Sequence, residues 1–302
     1  MIVFSQLGKP WMGNLGNQLF QIASTIGIAE KNGLNFAFPR WEYMKCFIGS
    51  LPIINDSISY TPLKELSFEY HDYQLVKANY DILGFFQSES YFSKEIVKKY
   101  LSFAQDLNIK INELFQKKSF RDPILISVRR GDFVHNPKYH QLDYKYYFLA
   151  LMKYFPDWEE RSVIVISDDI QYCKRIFSSI KNFHFFENHT PIEQLVFSTR
   201  CKDFIISNST FSWWAAYFGE SRESQVIRPI ANFRGKFARM NSHKSYYPER
   251  WISFQPRFLD YGLIPINVVL KGEFLNFLTF INFLRKRVIK NLKSILRISS
   301  WF

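Results

Sequence analysis

Hydrophobic positions along the chain fall into two β/α series. The first begins with the apolar "MIVFSQL", passes through the polar, glycine-bearing "GKPWMGNLGNQ", and continues into "LFQIASTIGIAEKNG". There Leu19, Ile22, Ala23, Ile26 and Ala29 recur with a period of about 3.6 residues, which predicts an amphipathic helix closed by Gly33 at its C-cap. "LNFAFP" predicts a second strand, and a strand–loop–helix–strand start predicts a parallel, doubly wound sheet. Residues 40 to 118 are mixed, with a strand predicted at "DILGFFQS" and one helix at "SKEIVKKYLSFAQDLN". The pattern restarts after "KKSFRDP". "ILISV", "SVIVIS", "NFHFFE", "DFIIS" and "SQVIRP" read as strands. "DYKYYFLALMKYF", "QYCKRIFSSI", "PIEQLVFSTR" and "NSTFSWWAAYFG" read as the helices between them. The expected fold class is α/β, two Rossmann-like units facing a cleft: residues 1–119, residues 120–265, and a helical tail at 266–302.

Ligands of such sheets lie beyond the carboxyl ends of the strands, and three strands of the second series end in polar motifs. "ILISV" runs into Arg129, Arg130, Gly131 and Asp132; "VIVI" runs into Ser167, Asp168 and Asp169; "DFII" runs into "SNSTFSWW", residues 207–214. A helix N-terminus carrying Ser207, Asn208, Ser209, Thr210 and Ser212 offers free N–H groups and hydroxyls to an anion. Arginine forks match phosphate oxygens with paired bonds, and the carboxylates suit donors on a base or ribose. Together the motifs predict a nucleoside-diphosphate pocket without a lysine-bearing P-loop.

Each motif alone has a plainer use. Arg129 fits an internal ion pair with Asp132, Ser209 or Thr210 a helix cap, and Asp168 or Asp169 a cap on the next helix. Trp213 and Trp214 fit core packing before a sugar platform. At the N-terminus "GNLGNQ", Gly13 to Gln18, resembles a phosphate-cradling loop without the GxGxxG order. Its Asn17 and Gln18 are neutral amides suited to phosphate or sugar hydroxyls. No Asp-x-Asp occurs, so the charge of a leaving diphosphate falls to arginine and helix dipoles instead of a metal clamp.

Composition adds partners and compartment. With 302 residues, 47% of them hydrophobic, the chain is long and apolar enough for substantial cores. The net charge of +12 favours acidic partners, but half of it lies in residues 271–302, where seven Lys or Arg stand against Glu273 alone. The body is only mildly basic, which argues against nucleic acid. Cys46, Cys173 and Cys201 are widely spaced and outside any CxxC pattern, so a reducing compartment and no zinc site are expected. Neither a secretory leader nor a run of about twenty apolar residues is seen. In the tail, Ile281, Leu284, Val288, Leu292 and Ile295 share one helical face opposite Lys286, Lys290, Lys293 and Arg297. With a terminal Trp301-Phe302 anchor, this predicts that residues 271–302 lie on an anionic membrane surface, peripherally on the inner face of the cytoplasmic membrane. A helix docked on the protein's own body, or a dimer contact, is the alternative.

"GNLGNQLFQIA", "SVRRGDFV", "VIVISDD" and "DFIISNSTFSWWAAYFG" resemble, in order and across roughly residues 3 to 235, the motifs of the alpha-1,2-fucosyltransferases. These belong with the alpha-1,6 and protein O-fucosyltransferases to one superfamily, and the "NSTFSWWAAY" stretch is most similar to the alpha-1,2 group. The resemblance implies a GT-B-like fold, GDP-β-L-fucose as donor substrate and no cofactor or metal. It implies inverting transfer to the 2-hydroxyl of a galactose-type residue, on a glycan of surface polysaccharide or O-antigen; the membrane-facing tail adds the expectation that this glycan is lipid-linked. It implies that Arg129 holds the donor β-phosphate with Arg130 close by, and that Ser209, Thr210 and Ser212 line the diphosphate. Asp168 and Asp169 then lie toward the nucleoside, and Asn17 reaches the donor from the other domain. Two positions depart from the family. Ser127 stands where histidine is usual, and Asn14 replaces the second glycine of Gly-Gly-Leu-Gly-Asn-Gln. Ser127 still hydrogen-bonds but supplies no titrating imidazole, which leaves Asp132 as a candidate base. Competing readings are a superfamily member with another linkage or donor, and a non-catalytic sugar-nucleotide-binding protein.

Overall fold

The computed structural model describes residues 1–54 and 58–299, with side chains as far as Lys293 at the C-terminal end. Its first unit is a four-stranded sheet in the order β2-β1-β4-β3: β1 (Ile2–Val3), β2 (Phe36–Ala37), β3 (Thr61–Lys64) and β4 (Tyr80–Leu83). The helix α1 (Leu15–Lys31) joins β1 to β2. It stops where Gly33 takes φ 62°, a left-handed conformation that glycine enters without Cβ strain. The helix expected from Ser93 to Asn108 is in fact two, α2 (Lys94–Tyr100) and α3 (Gln105–Lys118). Between them Leu101 is fully buried and Phe103 bridges to Phe47, so tertiary packing overrides local helix propensity.

The second unit is a six-stranded parallel sheet in the order β10-β9-β8-β5-β6-β7. Its strands are β5 (Ile124–Val128), β6 (Val163–Ser167), β7 (Phe183–Phe185), β8 (Asp203–Ile206), β9 (Val226–Pro229) and β10 (Ile252–Phe254). All five residues of β5 are buried between β6 and β8, which suits the apolar Ile124, Leu125, Ile126 and Val128 and leaves Ser127 as the one polar member. Helices α4 (Tyr144–Tyr154), α5 (Ile170–Phe177), α6 (Pro191–Ser198), α7 (Thr210–Gly219) and α8 (Gly235–Met240) connect these strands. Side-chain caps from Asp143, Asp169, Thr190 and Ser209 start the first four. The expected break near residue 119 is crossed by packing. Lys110 of α3 pairs with Glu193 of α6, and Arg200 donates to Asn112 at 2.6 Å and Asn108 at 2.9 Å. The strands β3 (TPLK) and β10 (ISF) are only four and three residues long, too short for a pattern to show, and were not expected.

The two units share a core across α1 and α7. Phe20 meets Trp213 at 4.5 Å and Trp214 at 5.1 Å between ring centroids, and both tryptophans are fully buried, so they are core residues. The tail is one long helix, α9 (Ile266–Ser299). Its first turns dock on the body: Val268 and Leu275 are buried, and a Cβ on Gly272 would lie 2.2 Å from the Tyr144 ring. Among the described residues no helix is long and apolar enough to cross a membrane. The expected Trp301-Phe302 anchor and the side chains of Ile295 and Arg297 lie outside the described residues.

Candidate functional site

A cavity of about 920 Å³ opens between the two sheets. Every strand but β10 sends to it the segment that follows its carboxyl end, from Pro10–Gln18 after β1 to Asn232-Phe233 after β9. The three polar motifs of the second unit meet there. Arg129, Asp132, Asp168, Ser209, Thr210 and Ser212 all line it, facing Asn17 and Gln18 from the first unit.

Two helix N-termini converge on this cavity. Gly16, in the first turn of α1, sits so close to α7 that a Cβ would lie 2.5 Å from the Phe211 nitrogen and 2.6 Å from the Thr210 carbonyl carbon. Each end brings unpaired N–H groups and a partial positive charge. Beneath α7 lies a buried hydroxyl cluster. Ser127 Oγ and Ser207 Oγ each contact Ser212 Oγ at 2.7 Å, and Ser209 Oγ, the cap of α7, reaches it at 2.9 Å. Ser127, 2% exposed and also part of the cavity lining, is thus a strut for Ser212. Asn208 fixes the loop by donating to the carbonyls of Asn232 at 2.8 Å and His140 at 3.1 Å.

Arg129 is held between carboxylates. Its Nη2 donates to Asp132 Oδ1 at 2.5 Å and its Nη1 lies 3.2 Å from Asp168 Oδ2. Asp168 Oδ1 also accepts from the Arg130 backbone N–H at 2.9 Å, and Gly131 leaves room for this, since a Cβ there would lie 2.4 Å from Asp168 Oδ2. Asp132 is mostly exposed and can swing aside for an incoming anion. Besides Tyr246 Oη, two buried polar atoms of cavity-lining residues have no partner among the described residues: Arg129 Nε and Asn232 Oδ1. One is a cationic donor and the other an acceptor suited to a base or ribose. Phe133 stacks on Tyr139 at 3.9 Å beside them, with the Arg129 guanidinium 5.5 Å from the Phe133 ring.

A model of glycosyl transferase family 11 matches residues 52–255, about two thirds of the chain and both units. The chain belongs to glycosyl transferase family 11. Among its curated relatives is an alpha-1,2-colitosyltransferase of Escherichia coli, 29% identical over 60% of this chain and 64% of that protein. The chain thus spans less than two thirds of that relative's length. A galactoside 2-alpha-L-fucosyltransferase of Caenorhabditis elegans is 24% identical over 83% of this chain and 79% of that one. The solved structure of the fucosyltransferase NodZ from Bradyrhizobium is similar at 12% identity, covering 71% of this chain and 91% of that one, with a TM-score of 0.47.

In this family 11 chain, two residues expected at the ligand face elsewhere. Arg130 is 5% exposed; its Nε pairs with Asp169 at 3.1 Å, its guanidinium lies 3.3 Å from the Tyr172 ring centroid, and its Nη2 donates to Thr279 of α9. Asp169 is the cap of α5, accepting from the Tyr172 N–H. Neither lines the cavity, because consecutive residues leaving a strand point to opposite sides. Gln18 lines it but is committed internally, to Gly13 and Trp41. Asn17 accepts from Gln87 at 2.8 Å, which ties the first turn of α1 to the segment after β4. Sequence reading missed Gln87, Asn232 and above all Glu65, which sits just past β3 and carries no motif. Its two carboxylate oxygens accept from the N–H groups of Phe85 and Phe86, each at 2.8 Å, and it lines the cavity. Burial raises its pKa, against the pull of those two bonds.

Proposed function

We propose that the protein transfers L-fucose from GDP-β-L-fucose to the 2-hydroxyl of a galactose-type residue, with inversion, in the assembly of a surface glycan such as O-antigen. The observation that supports this most is the meeting, in one cavity, of Arg129, with its unpartnered Nε, and the N-termini of α1 and α7. That is a site for the diphosphate of a sugar nucleotide, and it supplies the charge a departing diphosphate needs. In this reading the acceptor oxygen attacks the fucosyl C1 on the face opposite the diphosphate. The C1–O bond breaks, GDP leaves with its electron pair, and the hydroxyl proton passes to a carboxylate.

Glu65 suits that last role better than Asp132. A base acts best with a pKa near the working pH, and burial moves Glu65 that way; its partners are the neutral N–H groups of Phe85 and Phe86, whereas the Asp132 carboxylate is paired with the Arg129 cation. Asn17 and Asn232 orient the donor, and no step is assigned to a metal ion.

Incubating the protein with GDP-fucose and a β-galactoside in EDTA is expected to release GDP and give the 2-linked product. Glu65→Gln is expected to abolish turnover and Asp132→Asn to retain it; the reverse pattern makes Asp132 the base. A GDP-colitose arm tests the transferred sugar named for the 29% identical relative. Tight GDP binding without turnover of either donor favours a non-catalytic sugar-nucleotide-binding protein.

A further inference from the structure

The helix α9 has two dissimilar faces. Its inner face is Val268, Gly272, Leu275, Thr279 and Phe283, steps of three or four residues that place them on one side. Each meets the body: Gly272 lies against the Tyr144 ring, Thr279 accepts from Arg130 at 3.3 Å, and Phe283 lies 4.9 Å from the His135 ring. At its flanks Tyr144 donates to Glu273 and Tyr172 to Asn276, each at 2.9 Å. This face therefore grips the loop that follows Arg129.

The opposite face is an apolar stripe in the open. It starts at Ile266 and Leu270, continues through Phe274, Phe277 and Ile281, and stays in register at every turn. Beyond the body it runs on through Leu284, Val288 and Leu292. All eight side chains are between 39% and 70% exposed, far more than a core face allows. At about 1.5 Å per residue the stripe is about 39 Å long, and the exposed Phe258, Leu259 and Leu263 just precede it. Where the helix leaves the body, Lys286, Lys290 and Lys293 take the positions of the inner face, flanked by Arg285 and Arg287. No acidic residue follows Glu273 in the chain.

We propose that this outer face lies in the interface of an anionic membrane, holding the enzyme on the surface by a helix that does not cross it. The charge decides the occupant. Two copies joined along the stripe leave both cationic segments without a counter-charge, whereas anionic headgroups complement them.

The test is flotation of the full chain with phosphatidylglycerol-containing vesicles and with pure phosphatidylcholine vesicles. The protein is expected to float with the first, to be released by salt, and to stay unbound with the second. A variant with Leu284→Glu, Val288→Glu and Leu292→Glu is expected to lose flotation more than ten-fold with turnover on a soluble acceptor unchanged. Equal flotation of that variant, or no flotation of the wild type, overturns the proposal. So does light scattering showing a wild-type dimer that the variant dissolves.

Discussion

Replacing Gly16 by alanine adds one methyl group at the contact between the two helix N-termini. That methyl would lie 2.5 Å from the Phe211 nitrogen and 2.6 Å from the Thr210 carbonyl carbon, both backbone atoms that cannot rotate away. Ordinary contact begins at 3.4 Å, so the helix ends must part by about 1 Å. The helices cannot slide freely to allow it. Phe20 is wedged against Trp213 and Trp214, and Phe92 stacks on Trp214 at 5.6 Å. Such overpacking costs roughly 1–3 kcal/mol of stability. A shift of about 1 Å in groups that position a reacting centre costs roughly 100-fold in rate. The assay is GDP release as kcat/KM, read beside a thermal melt. Gly262→Ala serves as control, since nothing lies within 4 Å of its added Cβ. A folded Gly16→Ala protein with near wild-type kcat/KM would show that the paired helix ends do not hold the diphosphate.

The remaining perturbations separate structure from chemistry. Ser127→Ala removes one of three hydroxyl partners of Ser212, so stability measured by denaturant should fall by about 1 kcal/mol and turnover only a few-fold; abolished transfer would mean that Ser127 touches substrate. The pKa of Glu193 is held down to about 2: burial raises it, but the Lys110 ammonium and the N–H and hydroxyl of Thr190 outweigh that. A depressed carboxylate stabilises the fold above its ordinary value near 4.5 and loses that contribution as pH falls toward 2. Unfolding free energy should therefore drop across that window, and Glu193→Gln should flatten the drop; an unchanged acid slope would refute the assignment.

What was legible in the sequence was what local pattern encodes. The largely apolar "ILISV" marked β5 as a strand, and the 3.6-residue period marked α1 as a helix. Because parallel strands deliver their carboxyl ends to one edge, the convergence of Arg129, Asp168 and Ser209 followed from strand order alone. Periodicity could not say which of two adjacent arginines turns inward. Arg130 is drawn to Asp169, Tyr172 and Thr279, and Thr279 stands 149 residues away. Glu65 was invisible for the same reason, since its environment comes from Phe85 and Phe86 on the next strand's loop. The tail was read as one amphipathic helix, and the structure divides its roles: an inner face on the body and an outer face left open.

The central claim is that Arg129 meets the donor diphosphate. Arg129→Ala, purified and matched to wild type by circular dichroism and thermal melt, should lose about 10² to 10³-fold in kcat/KM, the effect of removing one well-placed anion-stabilising donor. Transfer at near wild-type rate by the folded variant would contradict the account, leaving Arg129 as no more than the ion-pair partner of Asp132 and Asp168.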